Sequence, residues 1–166
     1  MSTPSTEPKA KARAAVRAIL ITPQAEVLLM RIREPGSGDC FWITPGGGIE
    51  SDESFEACLR RELQEELGLS QFEVGPLVWL RRHTFKWDGR RVRQSERYHV
   101  VAVERFEPTM SDLDEARALQ EFRWWHVSEL LETTERLTPL ALGTIVLEYL
   151  RGSPQAGPLT EEILED

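Results

Sequence analysis

The stretch from Gly47 to Leu69 constrains this chain most, because a glycine-rich turn leads there into a short and strongly acidic helix. Near its end, Glu62, Glu65 and Glu66 stand at i, i+3 and i+4, which brings their side chains to one helical face. Three carboxylates within about one turn repel one another, and the C-terminal end of a helix favours cations. A bound divalent cation would remove this repulsion; an ordinary solvated acidic face is the alternative.

The helix itself is predicted to run from about Glu53 to Leu67. Three residues near its start are suitable N-caps: Ser51, Asp52 and Ser54. Gly68 is the expected glycine at its C-terminal end. An apolar stripe at i, i+4 and i+8 is formed by Leu59, Leu63 and Leu67. The helix should therefore pack through its leucines and leave its carboxylates facing a cleft.

The same residues suit a hard metal ion. Mg²⁺ and Mn²⁺ prefer carboxylate, carbonyl and water ligands, and the backbone at Gly46 can approach a metal closely because it carries no side chain. Arg61 follows Glu53 by eight residues, about two helical turns, and is expected to pair with it and fix the loop against the helix. Metal positions left open at such a site suit a substrate with bridging phosphates.

A longer pattern identifies a family. Gly47, five residues, Glu53, seven residues and then Arg61-Glu62-Leu63-x-Glu65-Glu66-x-Gly68-Leu69 resembles the Nudix box at every defined position. The flanks are similar too: Trp42-x-x-Pro45-Gly46-Gly47 before the box and Arg123-Trp124-Trp125 late in the chain.

The resemblance implies an α/β fold, an α/β/α sandwich around a mixed β-sheet in which the box forms a loop–helix–loop. Family members mostly hydrolyse a nucleoside diphosphate linked to another moiety, using Mg²⁺ or Mn²⁺. Carried over by position, the metal ligands are the Gly46 carbonyl, Glu62, Glu65 and Glu66. Glu62 is also a candidate for the base that activates water, and Glu53 and Arg61 would form the structural salt bridge of the box.

The general base varies within the family between a glutamate of the box and one in a late loop. The late candidates here are Asp112, Asp114, Glu115 and Glu121. Glu115 and Glu121 lead because they lie closest to where related chains place a late glutamate. A solvated loop acid is the alternative for each of them.

The charge distribution bears on the partner. A net charge of −8 argues against general binding to nucleic acid, yet residues 81–97 hold seven Lys or Arg against two acids. Arginine suits bidentate contact with phosphate, and the candidates for substrate binding are Arg31, Arg33, Arg81 and Arg91. A solvated strand face or a dimer contact would explain the same residues.

The length predicts one domain, placed at residues 12–152 between a flexible tail at 1–11 and a C-terminal tail at 153–166. Strands are predicted at 13–21, 26–32, 41–44, 90–105 and 121–127. Asp88-Gly89 predicts a hairpin turn, and Ser128 is expected to cap a short helical turn. A last helix is predicted from Pro139 to Leu150.

The remaining features predict a cytoplasmic protein with no membrane partner. No apolar run is long enough to span a bilayer, and residues 1–11 lack the apolar core of a signal peptide. Cys40 and Cys58 have no CxxC spacing and are expected to be free thiols. The predicted partner is a nucleotide-type small molecule, no stable nucleic acid is expected, and a homodimer is a family-level expectation.

Two other functions compete with hydrolysis. A catalytically silent nucleotide-binding or regulatory module would be expected to lose acids of the box, all of which this chain keeps. Isomerisation of an isoprenoid diphosphate lacks an evident additional Cys/Glu pair. The sequence does not select among oxidised nucleotides, dinucleoside polyphosphates, nucleotide sugars and ordinary nucleoside triphosphates.

Overall fold

A computed structural model describes residues 13–111, 117–152 and 161–165 of the chain. Within these ranges the strands are β1 (Arg13–Ile21), β2 (Glu26–Arg33), β3 (Cys40–Ile43), β4 (Gly46–Gly48), β5 (Leu77–Trp87), β6 (Arg90–Ala102), β7 (Leu119–His126), β8 (Leu137–Thr138) and β9 (Glu161–Glu165). The helices are α1 (Phe55–Leu67), α2 (Val127–Glu132) and α3 (Leu142–Leu150). No helix in these ranges has the length and apolar character needed to cross a bilayer.

Strand β1 lies at the centre because both of its faces are apolar. Successive side chains of a strand point to opposite faces, so Ile19 and Ile21 enter one core while Ala18 and Leu20 enter the other. Helix α1 covers the second core, and α2 and α3 cover the first. The predicted α/β/α sandwich is therefore confirmed.

The strands form one mixed sheet in the order β8-β3-β2-β1-β6-β5-β9, with β4 paired to β1 and β7 paired to β2. The pairs β1·β6, β3·β8 and β5·β9 are parallel, and the others are antiparallel. On one side of β1, β2 pairs only at Ile21↔Val27, whereas β4 pairs along residues 15–17. The sheet therefore divides beside β1, and a cleft opens between β2–β3 and β1–β6–β5.

The glycine turn crosses this division. Strand β3 ends on β2 at Ile43, and β4 begins on β1 at Gly46, so Thr44 and Pro45 carry the chain from one half of the sheet to the other. Ala18 donates its N–H to the Pro45 carbonyl at 2.8 Å, which fixes the crossing. The crossing brings the start of the box to the mouth of the cleft.

The hairpin of β5 and β6 confirms the turn predicted at Asp88-Gly89. Trp87 pairs with Arg90, and the two turn residues have φ values of 51° and 76°. A two-residue turn with both φ values positive matches the right-handed twist of the flanking strands. This hairpin forms one wall of the cleft.

Four boundaries differ from the prediction. Strand β6 ends at Ala102 because its partner β1 ends at Ile21, to whose carbonyl Val103 donates the last bond of the pair at 3.0 Å. Strand β7 covers Leu119–His126, and α3 begins only at Leu142, after a turn. Residues 161–165, predicted as tail, form β9 on the edge of β5; local composition does not reveal such long-range pairing.

The predicted cap at Ser128 is wrong. His126 caps α2: its Nδ1 accepts the Ser128 N–H at 3.2 Å, and its own N–H donates to Glu129 Oε1 at 3.0 Å. The imidazole replaces the hydroxyl that a capping box ordinarily uses, so the helix begins one residue earlier than a serine cap would allow.

Candidate active site

Helix α1 has the ends and the buried stripe that the sequence predicts. Ser54 accepts the Ala57 N–H at 3.1 Å as N-cap, and Gly68 ends the helix in the left-handed conformation with φ of 70°. The three leucines of the stripe are fully buried: Leu59, Leu63 and Leu67. This anchoring fixes the rotation of the helix and hence the direction of its carboxylates.

Two of the three box glutamates enter the cleft. Glu62 and Glu66 line it and are 5% and 1% exposed. The side chain of Glu65 is 38% exposed and lies nearer the surface. The expected common face therefore exists, with Glu62 and Glu66 inside and Glu65 at its outer margin.

Arg61 supplies positive charge among these carboxylates. Its Nη1 lies 3.0 Å from Glu62 Oε1 and 3.5 Å from Glu65 Oε2. Its Nε and Nη2 donate to the two oxygens of Glu53 at 2.7 and 2.9 Å, so the salt bridge expected from the spacing is present and bidentate. The repulsion expected within the acidic face is thus partly relieved by a residue of the chain itself.

This salt bridge has a pH signature. The hydrogen bonds from Arg61 lower the pKa of Glu53 to about 2 from its ordinary 4.5. Because the pKa is lower in the folded state, the stabilisation is full above pH 4.5 and is lost as the pH falls toward 2.

We expect Glu53→Gln to reduce the dependence of the unfolding free energy on pH between 4.5 and 2, measured by urea denaturation. A matched change at the exposed Glu132 should leave that dependence as in the wild type. An unchanged dependence in Glu53→Gln would contradict the role assigned to this pair.

The glycine turn is shaped by two close approaches. Gly46 has φ of 142°, which L side chains rarely adopt, and a Cβ there would overlap the Val16 carbonyl. A Cβ on Gly47 would overlap the carboxylate of Glu62. Glycine at position 47 therefore leaves the space that the Glu62 carboxylate occupies.

Cys58 joins the turn to the helix. Its Sγ lies 3.4 Å from the Gly48 carbonyl, to which it donates a weak hydrogen bond. Burial, with the nearby Glu53 charge, raises the pKa of the thiol to about 12. Cys58 is thus a neutral structural thiol, and both cysteines are free, as expected.

The cleft has a volume of about 640 Å³, within the range of pockets that hold one small ligand. Its box end is formed by Glu62, Glu66 and residues 46–48. Its other end is apolar and aromatic, with Phe41, Phe85 and Trp87 among the lining side chains. One end thus suits charged groups and the other suits flat, apolar ones.

A buried ion network forms part of the cleft wall. Glu96, 4% exposed, accepts from Arg17 Nε at 3.0 Å and from Arg81 Nη1 at 3.1 Å. The Tyr98 hydroxyl donates to the same carboxylate at 3.3 Å. Arg17 Nη1 also donates to the carbonyls of Thr44 and Gly46, both at 3.2 Å. Two guanidinium groups share one carboxylate, so the network carries a net positive charge beside the glycine turn.

Glu96→Gln should lower the free energy of unfolding by about 3 kcal/mol, because removing one charge from a buried ion pair leaves its partners uncompensated. Urea denaturation measures this. The exposed Glu132→Gln is the control and should stay within about 0.5 kcal/mol of the wild type. A loss for Glu96→Gln no larger than for the control would contradict the network's role.

The box residues fit a divalent cation in kind. Glu62 Oε2 is buried and accepts no hydrogen bond from any described residue, and the donor set of carboxylate and carbonyl oxygens is what Mg²⁺ and Mn²⁺ prefer. The Gly46 carbonyl, bonded to Arg17, keeps a second lone pair. Within the described ranges, no three His, Cys, Asp or Glu side chains are gathered closely enough to form a complete ligand set.

Several predicted site residues do not reach the cleft. On β2 the lining side chains are Met30 and Ile32, and Arg31 and Arg33 alternate with them. Glu121 pairs with Arg31 across the strands, with 3.9 Å between Nη1 and Oε1. The prediction of a base at Glu121 is therefore not supported, because β7 turns this carboxylate to the face opposite α1.

The basic hairpin divides in the same way. Arg81 lines the cleft and is 2% exposed. Arg91 is exposed and pairs with Lys86 in the strand register, alternating with the cleft-lining Val92. Arg81 thus agrees with the expected location and Arg91, like Arg31 and Arg33, does not. Glu115, Asp112 and Asp114 lie outside the described residues.

Sequence reasoning missed three charged residues of the cleft: Arg13, Arg17 and Glu96. Arg13 lies against the glycine turn, where a Cβ on Gly48 would overlap its guanidinium. Arginines two positions either side of Ala15 on a largely buried strand were the available signal, since unpaired charges are rarely buried. Their partner Glu96 is 79 residues away from Arg17 and could not be assigned from spacing.

A glycine turn, buried carboxylates and an anion-sized cleft within an α/β/α sandwich define a class of proteins that handle phosphate compounds. The NUDIX domain model matches residues 11–142. The chain belongs to the Nudix family.

Solved structures share this fold. The chain is similar to the MutT protein of Methanosarcina mazei Go1, with a TM-score of 0.60 and 19% identity over 87% of this chain and 96% of that one. The E. coli ORF135 protein has a TM-score of 0.59 and 27% identity over 88% and 96%. An Ap4A hydrolase of C. elegans has a TM-score of 0.61 and 16% identity over 85% and 99%.

A curated relative is named RNA pyrophosphohydrolase, from Hahella chejuensis (strain KCTC 2396). It is 43% identical over 67 residues, which are 38% of this chain and 39% of that protein. The chain thus matches about two fifths of that relative's length.

Proposed function

We propose that the protein hydrolyses the pyrophosphate linkage of a nucleoside diphosphate joined to another group, with the help of Mg²⁺ or Mn²⁺. The observation that carries the proposal is the burial of Glu62 and Glu66 in a cleft beside the glycine turn at 46–48. Buried carboxylates are costly unless they serve a charged partner, and membership of the Nudix family supports a phosphate compound as that partner.

The cation would be held by Glu62, Glu65, Glu66 and the Gly46 carbonyl. When bound, it would neutralise phosphate charge and lower the pKa of a coordinated water. Arg17 holds the Gly46 carbonyl in direction through its bond to that oxygen. Arg61, itself fixed by Glu53, orients the Glu62 carboxylate.

In the proposed reaction, a water oxygen bonds to one phosphorus of the anhydride and the bridging P–O bond breaks. The electron pair of that bond leaves with the second phosphoryl group, and the proton of water passes to a carboxylate. Glu62 is one candidate for this base, because its Oε2 is buried at the cleft without a hydrogen bond from the described residues.

Glu115 is the second candidate for the base. The loop before it is tied to α1, because Ser111 donates its N–H to the Glu65 carbonyl at 2.8 Å and its hydroxyl to the same oxygen at 3.1 Å. This anchor starts the late loop beside the box glutamates. Comparing the pH dependence of kcat in Glu62→Gln and Glu115→Gln would separate the two candidates.

The substrate phosphates would lie near the positive charge of the cleft wall. Arg81 is committed to Glu96 and contributes through the net charge of the network it shares with Arg17. Arg13 and Lys86 also line the cleft and are exposed, so they are free to move toward an anion. Basic side chains with low-dielectric walls raise the local concentration of a phosphate substrate.

A second candidate substrate is the 5′-phosphorylated end of an RNA, favoured by the identity with the RNA pyrophosphohydrolase over 67 residues. The chemistry at the anhydride would be the same. The two candidates differ in the group attached beyond the first nucleoside, which is a further nucleotide chain only in the RNA.

The experiment that tests the proposal is turnover by purified protein on nucleoside triphosphates, dinucleoside polyphosphates, nucleotide sugars and 5′-triphosphorylated RNA, each with Mg²⁺ and with Mn²⁺. Release of phosphorylated products from at least one compound is expected. Nucleotide binding with no product from any of them would instead favour a silent binding module. A cytoplasmic location and a homodimer belong to the same proposal, and sedimentation would test the latter.

A further inference from the structure

Two segments that are distant in sequence meet at one end of the cleft. They are the loop at 34–39 after β2 and the hairpin turn between β5 and β6. Glu34 Oε1 accepts the Asp88 N–H at 2.7 Å, and Glu34 Oε2 accepts the Ser37 N–H. Gly36 lies so close to the turn that a Cβ on it would be 3.5 Å from the Gly89 nitrogen. We refer to Glu34, Gly36, Ser37, Asp88 and Gly89 as the clasp.

The clasp spans the division of the sheet. In the strand order, β1 and β6 separate β2 from β5, so the strands joined by the clasp are three spacings apart, about 14 Å at about 4.8 Å per spacing. The hairpin must therefore reach across the cleft to meet the loop. Side chains next to both halves line the cleft: Glu34, Ser37, Asp39, Lys86 and Trp87.

The clasp is held in one geometry by charge and backbone conformation. The hydrogen bonds from Asp88 and then Ser37 lower the pKa of Glu34 to about 2, so the carboxylate stays ionised and accepting near neutral pH. The turn residues have positive φ values, which fix the direction of the Asp88 N–H. A charge-assisted hydrogen bond of this kind is stronger than one between neutral groups.

The clasp lies at the end of the cleft remote from the box. Arg81 is linked through Glu96 and Arg17 to the glycine turn, and Asp88 lies seven residues further along β5, about 23 Å at about 3.3 Å per residue. This length and the cleft volume of about 640 Å³ suit one nucleoside with its phosphates. With the anhydride at the box, a longer chain of nucleotides would meet the clasp.

We propose that Glu34 determines substrate length: by joining the hairpin turn to the loop at 34–39, it closes the far end of the cleft and favours small nucleotide derivatives over the 5′ end of an RNA chain. This inference rests on the proposed function for the position of the anhydride. It adds a selective element outside the box and uses none of the residues assigned to hydrolysis.

The test compares kcat/KM for a 5′-triphosphorylated tetranucleotide with kcat/KM for the matching nucleoside triphosphate. In the wild type, this ratio should be well below one. Glu34→Ala should raise the ratio at least about tenfold, because the barrier to the longer substrate is removed. Asp39→Ala is the matched control: it removes the same charge from the same loop but leaves the clasp, so its ratio should follow the wild type.

A ratio near one for the wild type, or an unchanged ratio in Glu34→Ala, would overturn the proposal. An equal rise in Asp39→Ala would also overturn it, because charge alone would then explain the effect. Hydrogen exchange at the Asp88 amide should accelerate in Glu34→Ala while amides of α1 keep their wild-type rates. An unchanged Asp88 rate would show that the clasp bond does not protect this amide and would contradict the proposal.

Equilibrium binding separates failure of this inference from failure of the proposed function. If the wild type turns over none of the compounds, the proposed hydrolysis fails. The same ratio can then be measured as Kd values for β,γ-imido analogues of the triphosphate and of the triphosphorylated tetranucleotide, by calorimetry. A relative gain for the longer analogue in Glu34→Ala alone supports the clasp; equal preference in all variants, or no binding of either analogue, overturns it.

Discussion

Glu66→Gln is expected to lower kcat by more than about 100-fold while the fold and its stability are kept. Residues that only orient metal ligands typically cost about 10- to 100-fold when replaced, so loss of a ligand itself should cost more. Glu66 is 1% exposed and attracts the charge of Arg17. Glutamine removes both the cost of burying a carboxylate and this attraction, so the two changes in unfolding free energy oppose each other.

Steady-state kinetics with Mg²⁺ and urea denaturation together measure this result, and the unfolding free energy should change by no more than about 1 kcal/mol. Glu56→Gln is the control on the same helix, since Glu56 is exposed and pairs with Arg60; its activity should match the wild type. Glu65→Gln should also abolish turnover. Wild-type activity in Glu66→Gln with a normal fold would remove the basis for a metal ligand at this position.

Gly47→Ala is expected to reduce kcat/KM by about 100-fold or more, because the added Cβ overlaps the Glu62 carboxylate and displaces a group placed at the proposed metal site. Gly47 does not have the positive φ of Gly46, so alanine causes no backbone strain there. The unfolding free energy should fall by about 1–3 kcal/mol, the usual cost of overpacking.

A double-mutant cycle assigns the stability loss to this overlap. In a Glu62→Ala background, Gly47→Ala should cost little stability, since the side chain that it meets is absent. Gly68→Ala, at the positive-φ end of α1, is a control whose cost should be the same in both backgrounds. If Gly47→Ala is equally costly with and without the Glu62 side chain, the contact with Glu62 does not determine its effect.

Local chemistry made the box and its helix predictable. Ser54 and Gly68 fix the ends of α1, and the leucine stripe fixes its buried side, all within 15 residues of sequence. Asp88-Gly89 fixes the β5–β6 hairpin in the same way. Each of these depends on backbone groups a few residues apart, which a sequence displays directly.

Contacts between distant strands were not predictable in this way. The position of Glu121 in the chain predicts a place near the box, but the register of β7 on β2 sets it beside Arg31. Register decides which face a strand residue occupies, and a shift by one residue reverses it. The bond of Glu34 to Asp88 joins residues 54 apart and depends on the same long-range pairing.

Arg61 changes the electrostatics expected of the box. Repulsion among Glu62, Glu65 and Glu66 favours a bound cation, yet Arg61 lies within 3.0 and 3.5 Å of two of them. A cation would therefore join an arrangement whose charge is already partly balanced. The buried Glu66 and the Glu62 Oε2 atom are the features that still favour a metal at this site.

Phosphorus-31 NMR of the reaction on a nucleoside diphosphate derivative, with Mg²⁺ and then with excess EDTA, tests metal-dependent hydrolysis most directly. We predict that the anhydride signals disappear with Mg²⁺ and are replaced by those of two phosphorylated products, and that EDTA stops the change. Undiminished cleavage in EDTA, or no cleavage of any compound in the panel with Mg²⁺ or Mn²⁺, would contradict this mechanism.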